Sequence, residues 1–382
     1  MKNMIKLIFI KILRILLKIF YIFPIKNDVI LFSSFEGRAF NDNPKYLFNY
    51  IKETYGDKYK YIWVINSLEK IDGTWKSVKF LSLKHIYYLM TARYIVSNLG
   101  IEPFLPKRKK QMFINTWHGS GAYKSQTLSG KFGASRYNVD LRNYRGRITD
   151  YYVSGCKKYS EIMAVSWNSS IEKYIPSGTP RNDIFFTDYS ELKSDVMKKL
   201  KLNSEYGYIM FAPTFRGSDY RNHKKIDFNL DFQKVLLAFE KRFGKKYMLL
   251  YREHIGADST FEFSNNIIDV SSYPDMQELM LVADSLITDY SSSMWDYSFL
   301  YRPGFLFVPD IEEYLGERDF YTPIETWPFD FAKTNDELIS LIENYDDEKA
   351  VQKMKTHQSS LESYENGKAS EKIVEYMNLQ RR

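Results

Sequence analysis

The chain has 382 residues, 44% hydrophobic and 26% charged, a balance that sustains a buried core and, at ~150 residues per domain, predicts two domains. Aromatic residues at 17% exclude a disordered chain, and the single cysteine, Cys156, excludes an intramolecular disulfide and leaves a reducing compartment as the default. The net charge is +7, but six basic residues from Lys2 to Lys26 precede the first acid, Asp28, so the remainder is nearly neutral and a nucleic-acid binder is excluded.

Residues 1–26 carry a charge every three to five positions from Lys2 to Lys18, which leaves no apolar run of ~18 residues to span a bilayer. At helical periodicity Lys11, Arg14 and Lys18 fall within about 60° of arc, with Ile, Leu and Phe around most of the rest. A basic stripe on an apolar helix predicts one lying in an anionic membrane surface, ended near Pro24.

From Asp28 onward, short β-rich runs alternate with helical stretches. The first series of strands is expected at Val29–Phe32, Tyr61–Ile65, Tyr94–Val96, Met112–Asn115 and Tyr151–Val153. The second is expected at Tyr208–Ala212, Tyr247–Tyr251, Ile267–Val270, Ser285–Thr288 and Phe305–Val308. Helical patterns lie between them, as over Phe232–Phe243 and Met276–Ala283. Continuous apolar strands with helical crossovers predict parallel sheets covered on both faces. The fold class is therefore α/β: two facing Rossmann-like domains with an N-terminal amphipathic membrane helix. The boundaries read as 1–26 for the helix, 27–190 for the first domain and 191–382 for the second, whose last ~45 residues form charged surface helices.

In open α/β sheets, ligands bind beyond the carboxyl ends of strands. Four such loops carry unusual residues: Thr116-Trp117-His118-Gly119, Pro213-Thr214-Phe215-Arg216, Arg252-Glu253-His254 and Asp289-Tyr290-Ser291-Ser292-Ser293. His118, between Trp117 and Gly119, is placed to expose an imidazole at a strand end. His254 is a second proton carrier or phosphate donor, and Arg216 is suited to pair with a phosphate or with an acid. The Ser run is expected to open a helix reaching about Leu300 and to offer hydroxyls and N–H groups to a phosphate. His85 reads as packing, His223 as a solvated loop and His357 as part of the terminal helices. No P-loop, zincin, nucleophile-elbow or zinc-ligand spacing is present in the sequence.

Taken together, Ser33-Ser34-Phe35-Glu36-Gly37, Asp42-Asn43-Pro44, Thr116-Trp117-His118-Gly119 and Gly178-Thr179-Pro180-Arg181-Asn182-Asp183 form a collinear set. Ala212-Pro213-Thr214-Phe215-Arg216, Arg252-Glu253-His254, Ile287-Thr288-Asp289-Tyr290-Ser291-Ser292 and Arg302-Pro303 extend it over roughly residues 28–325. This set resembles the CDP-glycerol glycerophosphotransferases of teichoic acid synthesis. Two departures, Ser120-Gly121 after Trp-His-Gly and Arg318-Asp319-Phe320-Tyr321 near the end, fall where substrate identity would be read.

The resemblance implies the glycosyltransferase-B arrangement, peripheral association with the cytoplasmic face of a bacterial cell membrane, and transfer of glycerol phosphate from CDP-glycerol to a lipid-linked acceptor with release of CMP. It implies His118 and His254 as catalytic, and Arg216, Thr288, Asp289, Ser291 and Ser292 as holding the diphosphate. Glu36, Gly37, Asp42 and Asn43 are then a candidate acceptor rim, although Asn43-Pro44 also reads as an N-cap and first helical residue. No resident cofactor or metal is expected, with divalent cations as stimulants. CDP-ribitol as donor and a nucleotide-sugar glycosyltransferase on the same fold are the alternatives.

Overall fold

The computed structural model describes residues 2–66, 75–124, 135–214, 216–217, 223–224, 228–253, 265–317 and 319–379. The chain divides into two compact units: residues 1–119, 126–186 and 363–382 form the first, and residues 120–125 and 187–362 the second.

In the first unit, helix α1 (Lys2–Leu16) leads through a 3-10 segment into strand β1 (Lys26–Ser33). Then come α2 (Asp42–Tyr55), β2 (Lys60–Val64), β3 (Lys76–Val78), α3 (Leu83–Thr91), β4 (Ala92–Ser97) and β5 (Met112–Asn115). Helix α4 (Arg136–Ile148), β6 (Tyr151–Ser154), α5 (Lys157–Ser166) and β7 (Tyr174–Pro176) complete the run. The sheet is parallel with order β3-β2-β1-β4-β5-β6-β7, so the strand order reverses between β1 and β4. Apolar side chains fill both faces: Ile30, Phe32, Trp63 and Val96 point to one, and Val29, Leu31, Val64 and Ile95 to the other.

The second unit holds α6 (Ser190–Lys199), β8 (Gly207–Phe211), the antiparallel pair β9 (Arg216–Gly217) and β10 (His223–Lys224), α7 (Phe232–Phe243), β11 (Tyr247–Tyr251) and β12 (Ile267–Asp269). It continues with α8 (Met276–Val282), β13 (Ser285–Thr288), α9 (Ser293–Ser298), β14 (Gly304–Phe307), α10 (Ile311–Glu317), β15 (Asp330–Ala332), α11 (Asn335–Glu343) and α12 (Asp347–Ser360). Its sheet is also parallel, in the order β12-β11-β8-β13-β14-β15, and reverses between β8 and β13.

The last helix, α13 (Ala369–Met377), corrects the expected boundary. Sequence placed all of 191–382 in the second domain, yet residues 363–382 belong to the first unit. Ile373, Val374 and Met377 on α13 are buried in the same core as Ile30 and Trp63, each contributing roughly 1.5–3 kcal/mol when fully buried. The alternating charges of this segment disguised a stripe of three apolar residues at helical spacing.

Helix α1 also differs in detail from expectation. Arg14, assigned to the outward basic arc, turns onto the first unit: its Nε donates to the Pro103 carbonyl at 2.7 Å and its guanidinium lies 3.3 Å from the centre of the Tyr144 ring. Leu17 and Phe20 pack against the lower core. Lys6, Lys11 and Lys18 remain exposed beside Met4, Ile5, Ile8, Phe9, Ile12 and Ile15. Among the described residues, no helix is long and apolar enough to cross a membrane.

Candidate active site

Register builds the first cluster. Ser33 pairs with Ser97, and Ser97 with Asn115, so β1, β4 and β5 end level at the point where the strand order reverses. The next residues, Ser34, Asn98 and Thr116, therefore emerge side by side, and the chain turns sharply after each strand. After β1, Phe35, Glu36 and Gly37 take φ of 45°, 58° and 83° in succession. Only glycine fits the third position, because a Cβ on Gly37 would sit 3.0 Å from both Cγ1 and the carbonyl oxygen of Val64. After β5, Trp117 adopts φ 51°, and its amide donates to Asn115 Oδ1 at 2.9 Å.

That turn presents His118. Its Nδ1 lies 2.9 Å from the Asn98 carbonyl oxygen, with the ring against Trp117 at 4.2 Å and Phe35 at 5.6 Å between centroids. A carbonyl only accepts, so Nδ1 carries the hydrogen and Nε2 is the basic nitrogen. The half-buried ring is thus in the tautomer a general base needs.

Asp42 and Asn43, expected at an acceptor rim, are instead buried at the start of α2. Asn43 Nδ2 donates to the carbonyls of Thr116 at 3.3 Å and Trp117 at 3.1 Å, and its Oδ1 accepts from the Arg181 amide at 3.1 Å. Asp42 accepts from Arg181 at 2.8 Å and from Asn98 Nδ2 at 2.5 Å. Both side chains are bonded within the protein, and the N-cap of α2 is Asn41. The helix therefore starts two residues earlier than the cap reading of Asn43-Pro44 placed it, with Asn43 and Pro44 as its second and third residues. Glu36 stays half-buried, paired with Arg38 at 3.5 Å.

The second cluster sits at the corresponding place in the other sheet, where the order reverses between β8 and β13. Arg216, expected to face a phosphate, is 6% exposed and committed to carboxylates. Its Nε and NH2 grip Asp310 at 2.6 and 3.0 Å, and its NH1 reaches Asp289 Oδ2 at 2.7 Å. Burial opposes the Arg216 charge, but Asp289 and Asp310 outweigh it and raise the guanidinium's pKa above the ordinary value. Burial likewise opposes charge on Asp310, yet Arg216 and the Tyr290 hydroxyl hold its carboxyl below the usual range. The guanidinium lies 4.8 Å from the centre of the Tyr290 ring and 5.1 Å from that of Tyr314, and these two rings stack on each other at 3.8 Å.

Asp289, fully buried, also accepts from the Thr214 amide and hydroxyl, both at 2.9 Å. Thr288 donates its hydroxyl to the Ala212 carbonyl at 2.6 Å. These bonds tie the loop after β13 to the loop after β8. Ser291 and Ser292 are half-buried. Ser291 Oγ accepts from the Ser293 amide at 3.2 Å, and Ser292 makes no side-chain cap bond. The helix they open, α9, spans Ser293–Ser298, and turn bonds from the Phe299, Leu300 and Tyr301 amides to the carbonyls three residues back carry it to about Leu300, as expected. His254 lies outside the described residues. Among the described residues, no group of three or more His, Cys, Asp or Glu side chains is arranged to hold a metal ion.

Two of the remaining polar residues escaped sequence reasoning: Asn98 follows β4 in the first unit, and Asp310 follows β14 in the second. A uniform search for polar residues just past every apolar run would have found them; the weak, short loop after β4 concealed the first. His357, read as part of the terminal helices, is buried with Nε2 2.9 Å from the Tyr123 hydroxyl and Nδ1 2.7 Å from the Thr326 carbonyl.

The family model described as CDP-Glycerol:Poly(glycerophosphate) glycerophosphotransferase matches residues 15–379. The chain belongs to this family. It is 32% identical over 371 residues to a teichoic acid poly(glycerol phosphate) polymerase of Staphylococcus epidermidis, spanning 91% of this chain and half of that protein. It is 29% identical to a polymerase of the same description from Bacillus spizizenii, with 96% of each chain covered. Among solved structures, a variant of the wall teichoic acid polymerase TagF soaked with CDPG superposes with a TM-score of 0.82 at 28% identity, covering 99% of this chain and 95% of that one.

Proposed function

We infer that this glycerophosphotransferase moves glycerol phosphate from CDP-glycerol to a hydroxyl of a lipid-linked acceptor and releases CMP. The observation that carries the reading is the hydrogen bond from His118 Nδ1 to the Asn98 carbonyl, which leaves Nε2 as the ring's basic nitrogen. The acceptor oxygen attacks the β-phosphorus and forms the new P–O bond, while the bond from that phosphorus to the bridging oxygen breaks. The electron pair leaves with CMP, and the hydroxyl proton passes to Nε2. CMP departs as a phosphomonoester whose second pKa is about 6, so a strong general acid is not required. Positioning and charge stabilisation then supply most of the rate.

In this reading Ser291, Ser292 and His254 contact the diphosphate, and Arg216 serves by holding Asp289 and Asp310, and with them the loops that carry the serines. Glu36 and Gly37 are retained as the acceptor side, with Asp42 and Asn43 beneath them. The likeness to TagF and the two parallel Rossmann-like sheets support the glycosyltransferase-B reading as part of the same proposal. The exposed apolar face of α1 with Lys6, Lys11 and Lys18 supports peripheral binding to an anionic membrane surface.

The test is a product assay. Purified protein is incubated with CDP-glycerol or CDP-ribitol and a lipid-linked disaccharide carrying one glycerol phosphate, and the acceptor is weighed by mass spectrometry. Addition of glycerol phosphate is expected. Addition of ribitol phosphate alone overturns the donor assignment, and no addition from either overturns the reaction.

A further inference from the structure

Asn98 stands outside the motifs that carried the sequence reading, yet the His118 hydrogen bond ends on it. We propose that Asn98, together with Asp42 and Arg181, forms a closed ring of positioning residues that fixes the orientation and tautomer of His118. The proposal rests on His118 as the base.

The ring is traced atom by atom. The Asn98 carbonyl receives His118 Nδ1 at 2.9 Å. A carbonyl just past a strand is only as fixed as its own residue, and here the side chain does the fixing. Asn98 is fully buried, its Nδ2 donates to Ser34 Oγ at 3.2 Å and to Asp42 Oδ2 at 2.5 Å, and its Oδ1 accepts from the Phe35 amide at 2.8 Å. Only this amide orientation works, because the opposite flip would set Nδ2 against the Phe35 N–H.

On the far side of the same histidine, Arg181 NH1 donates to the His118 carbonyl at 2.8 Å. It also pairs with Asp42 Oδ1 at 2.8 Å. One buried carboxylate therefore divides its two oxygens between the residue that holds the His118 ring and the residue that holds its backbone. Asn43 secures the two preceding carbonyls, Thr116 and Trp117, so three successive peptide groups are gripped from α2 and the segment around Arg181.

The strained backbone agrees with this purpose. Asp42 and Trp117 both have φ above 50°, at 58° and 51°. Non-glycine residues keep such conformations only where the surroundings over-determine them, and such strain gathers at functional sites. A carbonyl in the place that a carboxylate takes in many base–orienter pairs holds the tautomer without adding a charge beside the ring.

A double-mutant cycle tests the ring with the full-length protein, CDP-glycerol and the lipid-linked acceptor. Asn98→Ala is expected to lower kcat by ~10–100-fold, the scale of a base displaced by about 1 Å, with the KM for CDP-glycerol held within about twofold. In a His118→Ala background, the same substitution is expected to change the residual single-turnover rate by less than about twofold, since a positioning residue has nothing left to position. Thermal unfolding is recorded for each protein; if Asn98→Ala melts below the assay temperature, Asn98→Ser replaces it. An equal loss from Asn98→Ala in both backgrounds overturns the proposal, as does an unchanged kcat in the parent. A fully active His118→Ala enzyme removes the base assignment and this ring with it, whereas a crippled one with additive Asn98→Ala losses removes the ring alone.

Discussion

The clusters around His118 and Arg216 occupy equivalent places, each at the reversal of strand order in its own parallel sheet. They spend their polar residues differently. Around His118 the described partners are mostly amides and carbonyls, and the carboxylate of Asp42 pairs with Arg181. The histidine is held in the tautomer that makes Nε2 its basic nitrogen. Around Arg216 two carboxylates close on one guanidinium. Equivalent topology thus yields an oriented imidazole in one unit and an arginine clamped by two carboxylates in the other. The chemistry of the neighbours, not the position, decides between them.

The sharpest way to break that contrast is to remove the clamp. Arg216→Ala leaves Asp289 and Asp310 facing each other's charge, one of them fully buried. Loss of one partner of a buried ion pair costs about 3–5 kcal/mol, and denaturant titration is expected to show a loss on that scale. A lysine at 216 cannot span both acids and is expected to recover only part of it. Stability within ~0.5 kcal/mol of the parent would show that Arg216 is available for other duties.

A smaller effect is expected on the other side. Asn43→Ala leaves the Thr116 and Trp117 carbonyls and the Arg181 amide without their side-chain partner. The expected cost is about 1–3 kcal/mol, together with a lowered kcat because the His118 loop loosens. A stable, fully active variant would detach the loop's rigidity from its function.

Each unit also buries one histidine whose pKa burial pushes down to about 4, His85 in the first and His357 in the second. Unfolded, each titrates near 6.5, so below that pH the unfolded chain binds the proton first. Their contribution is therefore full above about pH 6.5 and declines, by up to ~1.4 kcal/mol per pH unit for each, until about pH 4. Melting temperatures from pH 7 down to 5 are expected to fall, and His357→Gln should flatten the slope of the second unit. A parent whose melting temperature is constant over that range contradicts the assignment. The smallest effect is on α1, where Lys11→Gln is expected to weaken binding to phosphatidylserine vesicles by about 1 kcal/mol, close to fivefold. Arg14, already turned onto Tyr144, should matter more to stability than to binding.

Much of the scaffold was legible. Long apolar runs such as Tyr208–Ala212 and Tyr247–Tyr251 announced buried parallel strands, and the structure has strands at Gly207–Phe211 and Tyr247–Tyr251. The strands that escaped are the short ones, Lys76–Val78, Tyr174–Pro176 and Asp330–Ala332 among them. Three residues are too few to show a period, and such strands exist because a neighbour supplies the ladder. In the site, residue type and strand-end position singled out His118 and Asp289. Partnership was hidden: nothing local reveals that Asp310 is 94 positions away from the Arg216 it binds, or that Asn43 reaches 73 residues along the chain to the Thr116 carbonyl. Register creates those meetings, and register belongs to the folded sheet.

The central claim is that His118 is the base and that its loss is chemical, not structural. Single-turnover transfer from CDP-glycerol by His118→Ala, measured beside its thermal unfolding, tests it most directly. The account predicts a rate lower by ~10²–10⁴, with a melting temperature within a few degrees of the parent and unchanged CDP-glycerol affinity. A folded His118→Ala enzyme that transfers glycerol phosphate at near the parent rate would contradict it.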